Sequence, residues 1–363
     1  MTTRGDVYKH GRERSTWSLS LMIPFTILLM ILLWTGPLAC AEPTQGHERL
    51  SQDDAQDDSQ NNSQHDEVTA RQAPSGADKS SGSWAARPCA GEVKGMSCIR
   101  GGDFKRGSEA PRTCKQGEVR RLPKDQPNHR PVHTIQLETF YMDQTEVTYS
   151  AYQACARSGK CPRRKPAYSD YSRAQQPMVG VSWYEAYTYC KVQGKHLPTE
   201  AEWELAARGL ESELYPWGDE ESSCQRAVIK SRRGRSCGVK KLRGKGPEKG
   251  RTLVVKSRPA GRYQLYDMIG NAEEWTADWY SRDWARCGDR CQGLNPRGPC
   301  GDQDPTKPCA GHRRKVVRGG SWYWPKECAT SWTRRPHYPS NKPYHHFGFR
   351  CAASLEEVEL LLK

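Results

Sequence analysis

Apolar and polar positions divide the chain into three stretches. Leu19 to Trp34 is an apolar run behind a basic start (Arg4, Lys9, Arg12, Arg14), with small residues after it at Ala39, Cys40 and Ala41. The run has 16 residues, short of the ~20 that cross a bilayer. Together the parts read as a secretory signal over 1–41, cleaved after Ala41. An uncleaved N-terminal anchor is the alternative. Cys40 is also the residue that a lipoprotein would acylate, although Pro37 stands where such sites usually carry Leu. From 42 to 87 the chain is rich in Ser, Gln, Asp and Asn with no apolar period, so it cannot bury enough surface to offset its ordering entropy. It is expected to be a disordered, solvated linker.

The pattern changes at residue 88. In "VHTIQLETFYMD", Ile135, Leu137 and Thr139 fall on one face, as in a half-buried strand. Thr148 is placed to cap a short helix through Cys155. Ser182 with Glu185, and Thr199 with Glu202, are capping boxes before apolar positions at helical spacing, and Gly194 and Gly209 are placed as stops. After Gly209 no long helical period recurs before Leu355, only Gly-, Pro- and Trp-rich chain with short strand-like runs. The fold class is α+β with few helices and much irregular structure. The folded domain spans 88–354, with a basic insert at 226–262, a Cys-rich insert at 287–309 and a C-terminal tail at 355–363.

Cysteine count and charge narrow the compartment. Of fifteen cysteines one is Cys40, which leaves fourteen in the mature chain. An even number suits disulfides in an oxidising compartment. Location is therefore expected to be extracytoplasmic: periplasmic, cell-surface or secreted, with contact to a membrane only through the anchor or a lipid. Cys155 with Cys161, and Cys224 with Cys237, are spaced for small local loops. Cys287, Cys291, Cys300 and Cys309 are open to a zinc cluster, but their gaps fit no usual C-x-x-C pattern and favour disulfides. His345 and His346 lack the i, i+4 spacing of a helical metal pair and read as packing or surface residues.

Five segments, "MVGVSWYEAYTYCKVQGKHLPTEAEWELAARG", "YPWGD", "LYDMIGNAEEWTADWY", "VVRGGSW" and "GFRCAA", occur in the order seen in the formylglycine-generating enzyme (sulfatase-modifying factor) family. The chain resembles that family from about Gly91 to Ala353. The resemblance implies a variant of the C-type-lectin fold, and an activity in which copper and oxygen convert a sulfatase cysteine to formylglycine. In active members a cysteine pair after the motif resembling "RGGS" binds copper, because soft thiolates suit Cu(I). Here Trp324 replaces the first of them, and Cys328, within one residue of the second, is the only catalytic candidate. An indole is no thiolate, so copper is not expected. Cys328 itself reads as a disulfide cysteine rather than a reactive thiol. The resemblance also implies a Cys190–Cys351 disulfide. Closing a loop of that length contributes roughly 5 kcal/mol in the chain-entropy model. It further implies a structural calcium ion held by the side chains of Asp267 and Glu274 and by the carbonyls of Gly270 and Ala272, hard oxygen donors of the kind Ca²⁺ prefers.

One feature lies outside the resemblance. Between Arg226 and Arg262 there are fourteen Lys or Arg and one acid, Glu248, so a net +13 of the chain's +14 is concentrated there. Such a block is a solvated loop or a polyanion-binding surface, for which Lys240, Lys241, Arg243 and Lys245 are the candidates. Outside the cytoplasm the available polyanions are sulfated glycans or envelope phosphates, not nucleic acid. The functional expectation is an exported, non-catalytic binding or accessory module, with a polyanionic glycan, an envelope component, a sulfatase or another exported protein as partner. The alternative is a copper-dependent oxidase of the formylglycine-generating type with altered ligands.

Overall fold

The computed structural model describes residues 84–110, 114, 128–166, 168–239, 250–282, 284–340 and 345–363. All belong to the second of the two units into which the chain divides, Met1–Asp78 and Lys79–Lys363. The secretory signal, most of the linker, and Lys240, Lys241, Arg243 and Lys245 lie outside the described residues. No helix among the described residues is long and apolar enough to cross a membrane.

The helices begin at their capping residues. The Thr148 hydroxyl accepts the Ala151 N–H at 3.2 Å and starts α1 (Tyr149–Arg157). Both boxes close reciprocally, Ser182 with Glu185 before α2 (Trp183–Val192) and Thr199 with Glu202 before α3 (Glu200–Arg208). One-turn segments follow at α4 (Arg235–Gly238) and α5 (Trp284–Cys287). The last residues are not a loose tail: Ser354 and Glu357 form a further capping box, and α6 (Leu355–Leu361) buries Leu355 and Val358.

Strands β1 (Met96–Ile99), β4 (Phe140–Asp143) and β9 (Ala352–Ser354) make one antiparallel sheet, and β2 (Gly102–Arg106) pairs with β3 (His133–Leu137). A four-stranded sheet has the order β7 (Arg334–His337), β6 (Lys315–Arg318), β5 (Glu273–Trp279), β8 (Phe347–Gly348), its last pair parallel. The alternation at Ile135, Leu137 and Thr139 therefore does not belong to one strand. The chain leaves the β2–β3 ribbon after Leu137 because Thr139 turns its hydroxyl to the Gly101 N–H, at 3.1 Å, and to the Arg87 carbonyl. Gly101 is required at this crossing, since a Cβ there would lie 2.1 Å from the Leu137 oxygen.

Helix α3 carries both apolar and charged groups into the core. Trp203, Leu205, Ala206 and Ala207 are fully buried, and so are Glu200, Glu204 and Arg208. Arg318 on β6 bonds Glu200 at 2.9 Å and Glu204 at 2.7 Å, Arg334 on β7 bonds Glu200 at 2.8 Å, and Arg208 bonds Glu204 at 2.7 Å. Burial alone would raise the Glu204 carboxyl, but Arg318 and Arg208 outweigh it and bring it down to about 2. Such a network adds little net stability, yet removing one member strands a buried charge at a cost of about 3–5 kcal/mol. It locks α3 to β6 and β7, the strands that flank residues 319–333.

Seven disulfides staple these elements. The expected Cys190–Cys351, Cys155–Cys161 and Cys224–Cys237 pairs are present, and Cys287–Cys291 and Cys300–Cys309 take the four cysteines otherwise open to zinc. Cys89–Cys98 and Cys114–Cys328 complete the set.

Candidate functional site

Strand β6 ends at Arg318 and delivers "GGSWYWPKEC" into a crowded turn. Gly319 has φ 88°, and a Cβ there would come 2.8 Å from the Met268 carbonyl oxygen, so the turn needs glycine. Beyond it Trp322 is fully buried and Trp324 is 8% exposed. The Trp324 indole N–H donates to Glu273 at 3.1 Å, and the Arg335 guanidinium lies 4.1 Å over the same ring while bonding Glu273 at 3.1 Å. Burial raises the Glu273 carboxyl, and Arg335 opposes the rise. Tyr323 stacks on His346 with centroids 5.3 Å apart and carries Arg235 at 3.8 Å from its ring centroid. Burial, reinforced by Arg335, holds His346 well below its ordinary pKa, so the imidazole stays neutral.

Cys328 is buried at 1% exposure and bonded to Cys114, 214 residues away in sequence. All fourteen cysteines from Cys89 onward are in disulfides. Copper does not fit this centre. One thiol position is an indole committed to Glu273, and the nearby cysteine is oxidised. The arrangement is a closed plug of rings and paired charges.

The calcium expectation meets a different geometry. Glu274 receives Arg350 through both Nε and Nη2, at 2.7–3.0 Å, and the Trp203 indole N–H at 2.8 Å. Those three N–H donors engage both oxygens of the carboxylate. Asp267, with φ 57°, accepts the Lys256 N–H at 2.8 Å. Close to it, Glu146 accepts the Asn271 side-chain amide at 3.0 Å through one oxygen, while its other oxygen is buried without a hydrogen-bond partner. Burial, then Asp267, raises the Glu146 carboxyl well above the ordinary range. Among the described residues no three side chains of His, Cys, Asp or Glu are grouped to hold a metal. An ion at this turn would draw on Asp267 and the open oxygen of Glu146 rather than on Glu274.

A model of the sulfatase-modifying factor enzyme 1-like domain matches residues 83–355. The chain belongs to that family. The formylglycine-generating enzyme of Thermomonospora curvata is 30% identical over 319 residues, covering 72% of this chain and 94% of the enzyme. The serine/threonine-protein kinase pkn1 of Chlamydia pneumoniae is 32% identical over 286 residues, covering 72% of this chain but only 38% of the kinase. PvdO from Pseudomonas aeruginosa superposes with a TM-score of 0.51 at 23% identity, covering 71% of this chain and 94% of PvdO. That likeness concerns the fold alone.

Within this family frame the sequence singled out Trp324 and Cys328, and the structure brings Glu273, Arg335, His346 and Cys114 to them. Parity left Cys114 without an assigned partner, but spacing along the chain carries no signal for a bond across 214 residues. Glu146 had no sequence signal at all. It precedes α1, far along the chain from Asp267, and meets it only in the fold.

Proposed function

We propose that this chain is an extracytoplasmic binding or accessory member of the sulfatase-modifying factor family without formylglycine-generating chemistry. The observation that carries the reading is the Cys114–Cys328 disulfide beside an indole at position 324. The seven disulfides support an oxidising location. A polyanionic glycan or envelope component is the partner that the charge favours. In the described part of the basic insert, Lys230, Arg232 and Arg233 are exposed on a hairpin closed by Ser231 and Gly234, at 2.9 and 3.1 Å, and tied to the Trp324 carbonyl at 2.8 Å. A structural calcium ion at the Asp267 turn, with Glu146 as the second carboxylate, belongs to the same reading. Its chemistry would be to neutralise buried acids and fix the turn.

The test is direct. Purified chain supplied with Cu(I), oxygen and a peptide bearing a C-x-P-x-R motif should form no aldehyde. A Trp324→Cys variant should also form none while the Cys114–Cys328 bond stays intact, because one thiol is half a site. Aldehyde formation by the unmodified chain overturns the proposal.

A further inference from the structure

A second cationic surface lies outside the basic insert, on α1 and the chain that returns beside it. Residues 149–176 contain six Lys or Arg and a single acid, Asp170. Two of these charges are taken up locally: Asp170 faces Arg251 at 3.6 Å, and Arg164 pairs with Glu185 of α2. The other five cations, Arg157, Lys160, Arg163, Lys165 and Arg173, are exposed, and none has an ion-pair partner among the described residues. Their charge is left for an external anion.

The backbone under these side chains is fixed at both ends of α1. At the C-terminal end the Cys155–Cys161 disulfide closes the turn that carries Arg157 and Lys160. Along the side, the Tyr152 hydroxyl donates to the Pro162 carbonyl at 3.2 Å and the Gln153 amide to the Arg164 carbonyl at 2.8 Å. Arg157 is four residues beyond Gln153 and shares its face of the helix, so it stands beside the return that presents Arg163 and Lys165. At the N-terminal end the Ser150 N–H donates to the Ala174 carbonyl at 3.0 Å, next to Arg173. The 9 residues of α1 make a rod about 13 Å long, and the five cations are strung along it rather than gathered round a point.

The basic insert packs against the same segment. The Gln176 side-chain amide donates to the Thr252 carbonyl at 2.7 Å, and the Val255 N–H donates to the Gln175 carbonyl at 2.8 Å. The Arg251 N–H donates to the Ser236 hydroxyl at 2.8 Å, which ties in the hairpin bearing Arg232 and Arg233. The described residues of the insert, 226–239 and 250–262, contain no acid. We propose that α1 and its return form a binding surface for a linear anionic polysaccharide, whose sulfate or carboxylate groups pair with Arg157, Lys160, Arg163, Lys165 and Arg173 along the rod. The inference rests on the reading of a polyanionic partner and gives that partner a second contact, one already ordered before binding. A row of cations meets a polymer of repeating charge better than it meets a single anion. Among the described residues of 149–176 no large apolar side chain is exposed, so the surface has nothing to insert into a lipid headgroup layer. The seven disulfides favour a compartment without nucleic acid.

The experiment is calorimetric titration of the full chain with a heparin decasaccharide, a heparin tetrasaccharide and an alginate decasaccharide, beside single-stranded DNA and phosphatidylserine vesicles. At least one decasaccharide should bind, more weakly as salt rises, and the heparin tetrasaccharide should bind less tightly than the heparin decasaccharide because it spans less of α1. Arg157→Ser, Lys160→Ser, Arg163→Ser and Lys165→Ser combined should weaken binding by about tenfold or more, a change of ~1.4 kcal/mol, with the melting temperature unchanged because these side chains are exposed. If that variant melts lower, Arg163→Glu with Lys165→Glu is held to the same criterion. Failure of both decasaccharides to bind overturns the inference together with the polyanionic partner. Binding unchanged by the substitutions overturns the inference alone; if Ser at Lys240, Lys241, Arg243 and Lys245 lowers it instead, the partner stands, at the insert. Equal affinity for the two heparin lengths overturns the linear polymer, and tighter binding of DNA or vesicles than of either decasaccharide overturns the polysaccharide.

Discussion

Asp278 offers the sharpest check on the charge chemistry of the core. It lies on β5, and its carboxylate accepts the Glu200 N–H at the start of α3 at 2.6 Å, while its other oxygen is buried without a hydrogen-bond partner. Burial, then the neighbouring Glu200 charge, raises the carboxyl to about 7, against the Glu200 N–H, Arg106 and Lys315. An unfolded Asp titrates near 3.9. Between roughly pH 4 and pH 7 the folded state therefore holds a proton that the unfolded state has lost. Stability is greatest below that window and falls by about 1.36 kcal/mol per pH unit as pH rises through it, roughly 4 kcal/mol in all. Asp278→Asn removes the titration and keeps an acceptor for the Glu200 N–H. Urea unfolding of the disulfide-intact chain should then show the variant gaining on wild type by roughly 3 kcal/mol between pH 5 and pH 8. Parallel curves for the two proteins would refute the reasoning. They would mean that Asp278 stays ionised throughout and keeps Lys315, which burial otherwise lowers to about 6, charged at 3.8 and 3.9 Å from the ring centroids of Trp183 and Trp279.

Two further outcomes follow from the sites. Millimolar Ca²⁺ should raise the melting temperature by mass action on the folded state, and Glu146→Gln or Asp267→Asn should abolish that rise; no response to Ca²⁺ or chelator in the wild type counts against the ion. Replacing Lys240, Lys241, Arg243 and Lys245 by Ser should lower retention on heparin at low salt and leave the melting temperature nearly unchanged, because a screened charge interaction reaches only ~8 Å at physiological salt; unaltered retention removes those four residues from the polyanion surface.

What the sequence determined by itself is what is written locally along the chain. A capping box needs only a Ser or Thr and a Glu three residues later, so the starts of α2 and α3 were legible at Ser182 and Thr199. The order of five motifs was enough to place the chain in its family and fold. The Cys155–Cys161 and Cys224–Cys237 loops followed from short spacing, and Cys190–Cys351 from the family motifs that contain it. Tertiary structure decided whatever depends on groups far apart in sequence. The run "VHTIQLETFYMD" became β3 in one sheet and β4 in another, with Thr139 in neither, since periodicity of two records alternation but not where hydrogen bonding changes partner. Glu274 reads as a free carboxylate until Arg350, 76 residues on, is brought against it. Glu146 and Asp267 are unremarked acids until burial puts them together, where low polarity makes each raise the cost of the other's charge. The fate of Cys328 was settled by Cys114, because a disulfide depends on Cα atoms 4.6 Å apart in space and not on their distance along the chain.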